Sequence, residues 1–405
     1  MPILSDNSIV PVVMFHSVGL SDTDWVFSHI SEPVSCFENK IIALLNAGYS
    51  FLFWDELYQH MTGSRRAPKK SIMLTFDDGY LDNWTHVFPL LKKYSIKATI
   101  FVNPEFVDPS SHPRPTTDDV ATGKINATDM QTKGFLNWVE MRAMEVSGLV
   151  DIQSHALTHT WYASGPVAVG FHFPGNQNYP WCAWNLRPER KPFYMTEDQS
   201  HFLPLGTPVY EHAKALICKK YFPPEDITKS LVEFVGTNGG ADFFTRCDWF
   251  EELQSHHAVL MAAHGHKGHW ESEQEYGQRV LDELVQSRKI IGARLEKDVR
   301  YICWPGGGYN ETVLSLARKA GYRAWTLASR DHSTFRNRYA SGGEQIKRIG
   351  SFSYYPFPGE SSLGRAGWRF FYSGIERHKG SALHTWLGRT LLIGALCRNK
   401  IGYLR

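Results

Sequence analysis

Apolar, strand-like runs near 10–15, 71–76, 97–102 and 149–154 alternate with helical patterns near 34–47, 83–94 and 137–147. Parallel strands need a long crossover between them, usually a helix, so this alternation predicts an α/β fold with a parallel barrel. After His159 the rhythm stops for about one hundred residues, far beyond an ordinary connection. It resumes at 258–263, which reads as a strand, followed by a long helix near 272–296, a strand at 299–304, a helix at 310–320 and a strand at 322–327. A chain of 405 residues could hold two or three average domains, but one barrel with a large insertion accounts better for the interrupted rhythm. The expected division is a first barrel part at 1–160, an inserted specificity subdomain at 161–257, a second barrel part at 258–350 and a C-terminal extension at 351–405.

The run at 71–76 ends in Asp77, Asp78 and Gly79. Two adjacent anions are costly to hold together unless a cation lies between them, and a glycine lets the backbone bend so that both can serve one centre. An isolated Asp-Asp-Gly reads more readily as a turn cap. The run at 149–154, however, leads to His155 and His159, whose spacing puts two imidazoles on one side of a helical turn or tight loop. Two histidines and one aspartate with open positions are the plan of a catalytic metal site rather than a structural one. One divalent ion is expected, Zn2+ first, with Co2+, Ni2+ or Fe2+ fitting the same donors.

Thr75-Phe-Asp-Asp-Gly79, Ser154-His-Ala-Leu-Thr-His159 and Trp304-Pro-Gly-Gly-Gly-Tyr309 together resemble the motifs of the polysaccharide deacetylases, the NodB-homology or carbohydrate esterase family 4 enzymes, over 8–160 and 258–350. The resemblance implies a distorted (β/α)7 barrel of the NodB-homology type with a large inserted subdomain. It implies Asp77 as general base, Asp78, His155 and His159 as metal ligands, and the backbone N–H of Gly306 in the oxyanion site. Two departures matter. The family's arginine that holds the base falls on Cys303, so that arginine reads as missing. The family's late leucine-x-histidine has no counterpart after residue 340, whereas Val12-Val-Met-Phe-His16 is a strand ending in histidine near the start. This arrangement is similar to the circularly permuted branch that includes the poly-N-acetylglucosamine deacetylases, and it gives His16 the role of general acid.

The activity implied is metal-dependent removal of an acetyl group from an N-acetylated sugar, carried on a nucleotide or a lipid, during synthesis of a surface polysaccharide or glycolipid. An amidase on a small non-sugar amide or ureide and a carbohydrate-binding protein without catalysis are the alternatives. Phe171, Trp181, Trp184, Phe193 and Tyr194 of the insertion could stack on sugar rings or simply pack together. Arg187, Arg190 and Lys191 could meet a phosphate or lie solvated. The cluster His264, His266 and His269 follows the run at 258–263, which would put it at the same barrel mouth as a second metal site or as hydrogen-bond partners of the first.

Basic and acidic residues nearly balance, 43 against 41, and no basic stripe interleaved with aromatics stands out, which argues against nucleic acid as a partner. The first residues lack the basic and apolar regions of a signal peptide, and the six cysteines are scattered singly, so a cytoplasmic protein with reduced thiols is expected, with the inner face of the membrane as a second location. The apolar run at 386–396, with Arg398 and Lys400 after it, is too short to span a bilayer; it could lie on a membrane surface or dock on the barrel.

Overall fold

Every side chain of the segment Ser71–Phe76 is buried. A strand covered on both faces belongs inside a parallel sheet wrapped by helices, and the computed structural model shows that arrangement. It describes residues 8–20, 25, 27–264, 268–327, 334–356 and 364–402, the side chains from 399 onward excepted. Besides further two-residue strands, the sheets are built of β1 (Val12–Phe15), β2 (Ser71–Phe76), β3 (Ala98–Val102), β4 (Val150–Ser154), an antiparallel pair β5 (Trp161–Phe171) and β6 (Pro208–Lys214), then β7 (Tyr301–Ile302), β8 (Ala324–Thr326), β9 (Gln345–Ile346) and β10 (Ile349–Gly350). The main sheet runs β9-β8-β7-β4-β3-β2-β1-β10, with Ser50–Phe51 beside β2.

Its neighbours on that path are all parallel. Because β9 and β10 belong to one stretch, 345–350, that stretch bonds to β8 at one end and to β1 at the other, and so joins the two edges of the sheet. Counting it once gives seven staves: β1, β2, β3, β4, β7, β8 and 345–350. The barrel is distorted, for β4 and β7 share a single registered pair, Ser154 with Ile302.

Alternation along the strands divides the core in two. Val13, Leu74, Ile100 and Ile152 face the surrounding helices, among them α1 (Val34–Asn46), and pack on Ile41 and Leu44. Val12, Met73, Phe101, Tyr301 and Ile346 form a second cluster with Trp54, Leu57 and Met61 of α2 (Trp54–Met61). Farther along lie α3 (Phe88–Tyr94) and α4 (Trp138–Val146). The latter starts at a reciprocal cap, in which the Asn137 side chain accepts from the Glu140 N–H at 2.8 Å and Glu140 accepts from the Asn137 N–H at 2.9 Å.

The region between His159 and the second barrel part is ordered, contrary to the lack of pattern in its sequence. It holds the β5–β6 pair, the short helix Pro180–Leu186, α5 (Glu225–Thr237) and α6 (Trp249–Ala263). The expected strand at 258–263 is instead the last part of α6. Alanine, leucine and methionine are strong helix formers, and a six-residue apolar run cannot separate a strand from a packed helix by periodicity. Leu260 and Met261 pack beside Phe171, Leu231 and Phe243 in a small core of the insertion's own. The barrel therefore resumes with α7 (Glu273–Leu295), followed by β7, α8 (Glu311–Ala320) and β8.

In the C-terminal extension, α9 (Trp368–His378) docks on α1, and α10 (Ala382–Gly402) lies on α9. Glu376 of α9 accepts a hydrogen bond from the Tyr49 hydroxyl at 2.6 Å, which ties the extension to the barrel. Leu383, Trp386 and Ile393 of α10 remain exposed. Among the described residues, no helix is long and apolar enough to cross a membrane.

The seam of the barrel is stitched by a buried asparagine. The Asn337 side-chain amide donates to the carbonyls of Val10 at 3.1 Å and Lys347 at 2.8 Å, and its oxygen accepts from the Lys347 N–H at 2.8 Å. Asn337→Ala strands those backbone groups in a dry interior, and we expect it to lower unfolding free energy by about 2 kcal/mol in a denaturant titration.

Candidate metal and catalytic site

Register brings the strand ends level. Phe15 pairs with Phe76, Phe76 with Ile100, Val102 with Ser154, and Ser154 with Ile302. The residues just past these ends, His16, Asp77, Asp78, Asn103, His155 and Trp304, consequently line one cavity of about 690 Å³ at the C-terminal mouth of the barrel. Gly79 follows with φ of +68°, and a Cβ there would stand 2.9 Å from a Val102 methyl carbon, so the turn after the two aspartates closes only on glycine.

Asp78 Oδ1 lies 3.2 Å from His155 Nε2 and 3.3 Å from His159 Nε2. The Nδ1 of His155 is 2.8 Å from the Cys303 carbonyl, which can only accept, so Nδ1 carries the proton and Nε2 offers its lone pair toward Asp78. Asp78 Oδ1 is itself buried without a hydrogen-bond donor. A carboxylate oxygen and two imidazole nitrogens converging with no proton assigned between them fit a divalent cation, and the ligand atoms of this trio all lie within 4.8 Å of one another. Asp77, His155 and Cys303 meet the same distance test, but Asp77 is already engaged.

Both oxygens of Asp77 accept from Arg348, Oδ1 at 2.6 Å and Oδ2 at 2.8 Å. Burial pushes the Asp77 carboxyl up, but the Arg348 guanidinium and the neighbouring imidazoles outweigh it and hold the group below the usual carboxylate range. The arginine that reads as missing at Cys303 is thus supplied from the closing stretch of the barrel. Its signal was a basic pair, Lys347-Arg348, between Ile346 and Ile349, a charge inside an otherwise apolar strand. Cys303 lies beside it, with Sγ 3.5 Å from Asp77 Oδ2, and burial raises its thiol well above the ordinary value, so it remains an S–H donor.

His16 Nε2 is 3.8 Å from Asp77 Oδ2, on the side of the mouth opposite the ligand pair, and its side chain is 23% exposed. Its carbonyl accepts from Asn83 Nδ2 at 2.9 Å. Burial lowers the imidazole's pKa against the pull of Asp77 and Asp78, so the resting side chain is neutral near pH 7. Gly306 also lines the cavity, in a left-handed turn, with φ of +54°. The N–H groups of Gly307 and Gly308 are taken by the carbonyls of Trp304 and Pro305, whereas Gly306 has no backbone acceptor among the described residues.

Trp161, Trp184, Tyr194 and Lys214 bring the insertion into the cavity wall. The expectation for its aromatics divides accordingly: Phe171 belongs to the insertion's own core, while Trp184 and Tyr194 both pack and line the cavity. The three basic residues expected to meet a phosphate do not, for Arg187 pairs with Glu189, Arg190 with Glu197 and buried Lys191 with Glu105. The histidine cluster follows a helix rather than a barrel strand. His264 pairs with Asp226 at 2.6 Å, His269 lies in a short strand against Tyr221–Phe222, and His266 falls outside the described residues.

Two predictions follow from this geometry. His155→Ala or His159→Ala should purify with little bound metal by elemental analysis, since a three-ligand site loses most of its affinity with one ligand. Arg348→Met leaves Asp77 buried without its cation. A base acts when ionised and fails as pH falls through its pKa; with the strongest opposing charge gone and burial still pushing that pKa up, the acid limb of the pH–rate profile should move to higher pH, with a stability loss of about 3–5 kcal/mol.

Comparison with known proteins agrees with this layout. A family profile described as polysaccharide deacetylase matches residues 64–180 and 247–325. The polysaccharide-deacetylase-type protein YxkH of Bacillus subtilis is 34% identical over 93 residues, 23% of this chain and 31% of that protein. The poly-beta-1,6-N-acetyl-D-glucosamine N-deacetylase of Escherichia coli K12 is 27% identical over 149 residues, 37% of this chain and 20% of the enzyme. The chain therefore spans less than a third of the length of either curated relative. The solved structure of a de-N-acetylase from Aggregatibacter actinomycetemcomitans superposes with a TM-score of 0.51 at 17% identity, covering 84% of this chain and 94% of that one, a likeness of fold. In its motifs and its two matched segments the chain resembles the polysaccharide deacetylases, and its barrel shares the fold of a solved de-N-acetylase.

Proposed function

We propose that this protein hydrolyses the acetamide of an N-acetylated sugar, in the assembly of a surface polysaccharide or glycolipid. The observation that carries the reading is the division of labour at the mouth: Asp78 with two histidines on one side, and Asp77 locked by Arg348 beside His16 on the other. The E. coli relative, named for N-deacetylation of poly-β-1,6-N-acetyl-D-glucosamine, supports an N-acetylhexosamine as the sugar.

An acetamide resists hydrolysis because its carbonyl is a poor electrophile and its amine a poor leaving group. A divalent ion held by Asp78, His155 and His159 would supply Lewis acidity toward the carbonyl and lower the pKa of water. Asp77, kept ionised and fixed in angle by Arg348, takes a proton from the attacking water. The Gly306 N–H is the chain's own donor for the developing oxyanion. His16 lies next to Asp77 and delivers a proton to the departing nitrogen as the C–N bond breaks, leaving acetate and a free amine. Because His16 rests neutral, it must acquire that proton during turnover, and Asp77 is its nearest source.

The test is acetate release by the metal-loaded protein from oligomers of N-acetylglucosamine. Asp77→Asn should retain the metal yet lose at least about a hundredfold in kcat, the scale of general base catalysis. Absence of acetate from every N-acetylated sugar tried would overturn the reading.

A further inference from the structure

Trp161 and Lys214 are directly opposed partners at the cavity end of the β5–β6 pair. Opposed residues of an antiparallel pair project from the same face, and both side chains line the catalytic cavity. Trp161 lies against a ligand histidine, its ring centroid 5.6 Å from that of His159. Lys214 reaches the opposite wall, where its ammonium donates to the Gly306 carbonyl. A Cβ at Gly308 would stand 2.6 Å from the lysine's Cδ, and one at Gly306 would stand 3.0 Å from its Cε. The glycines at these two positions leave the channel that the lysine stem fills.

Among the described residues, no carboxylate pairs with the charge of this side chain. Of the two cations that line the cavity, Arg348 is bound to Asp77, whereas Lys214 has no carboxylate within ion-pair distance among the described residues, and burial lowers its pKa. Elsewhere in the insertion, Arg187, Arg190 and Lys191 are paired with carboxylates, as described above. An N-acetylhexosamine is neutral. An ammonium that lines the same cavity as the two candidate ligand histidines, in register with the Trp161 ring, therefore serves something other than the acetamide.

We propose that Trp161 and Lys214 form a subsite for an anionic group: the sugar stacks on Trp161, and Lys214 pairs with a phosphate or carboxylate borne by that sugar or its neighbour. This rests on the deacetylase reading and narrows its substrate to a glycosyl phosphate or an acidic glycan.

Acetate release by the full-length, metal-loaded protein is compared on three probes: N-acetylglucosamine 1-phosphate, an N-acetylglucosamine–glucuronic acid disaccharide and the neutral N-acetylglucosamine disaccharide. The expected result is a kcat/KM at least about tenfold higher for one anionic probe than for the neutral one, arising in KM and shrinking with added salt. Which anionic probe is preferred distinguishes phosphate from carboxylate. Lys214→Met should bring the anionic-to-neutral ratio to about one, while Lys214→Arg retains most of it. Equal use of all three probes by the native protein, or an equal drop on all three in Lys214→Met, would overturn the subsite and leave Lys214 as a prop for Gly306. If no probe releases acetate, the deacetylase reading fails instead. The subsite is then judged by equilibrium binding of N-acetylglucosamine 1-phosphate, which should be about tenfold weaker to Asp77→Asn/Lys214→Met than to Asp77→Asn, and equal binding would refute it.

Discussion

A guanidinium and a carboxylate, both buried, meet at the seam where the barrel closes. Neither charge could be left alone there, because the cost of desolvating a single ion exceeds what packing returns. Arg348 reaches Asp77 only if the stretch 345–350 lies beside β1, and it lies there because β9 bonds to β8 while β10 bonds to β1. Closure of the fold and orientation of the Asp77 carboxylate are therefore one event. The same contact keeps Asp77 ionised in a cavity wall where burial alone would favour its neutral form.

The ligand loop depends on a comparable set of ties. Ala156 and His159 have φ of +61° and +40°, conformations that side chains with a Cβ adopt only when their surroundings impose them. Ser287 of α7 donates to the Ala156 carbonyl at 2.9 Å, Asn103 donates to that of His155, and Glu283 accepts from the N–H and hydroxyl of Thr158. Lys191, from the insertion, donates to the Thr158 carbonyl at 2.8 Å while pairing with Glu105. The insertion thus begins two residues beyond His159 and returns to hold the loop from which it leaves. It belongs to the site's framework as well as to its wall.

Much of this was legible because its signals are local. The strand at 71–76 follows from an apolar run ending in polar residues and the helix at 310–320 from its helical pattern, while the placing of His16 beside Asp77 follows from the resemblance to the permuted deacetylases. What escaped depends on contacts distant in sequence. Arg348 lies 271 positions from Asp77, and only the closing of the barrel brings them together. The run at 258–263 is equally apolar as strand or helix, and the deciding neighbours, Phe171 and Leu231, come from elsewhere in the insertion. Lys214 is one lysine among many until its pairing with Trp161 sets it beside the ligands.

The two adjacent aspartates show how identical side chains acquire unlike tasks. Asp77 is still in the strand ladder, its N–H donating to the Phe15 carbonyl at 3.0 Å, and its carboxylate meets a cation that belongs to the chain. Asp78, one residue on, has φ of +72°, and its carboxylate turns to two imidazoles, leaving one buried oxygen without a donor. A carboxylate whose two oxygens are both engaged by a guanidinium is a poor metal ligand but a well-aimed acceptor for a proton. One whose buried oxygen faces two imidazole nitrogens and no donor is placed to take its positive charge from outside the chain. Between the proposed base and the proposed metal ligand, the difference is a single left-handed residue after the strand.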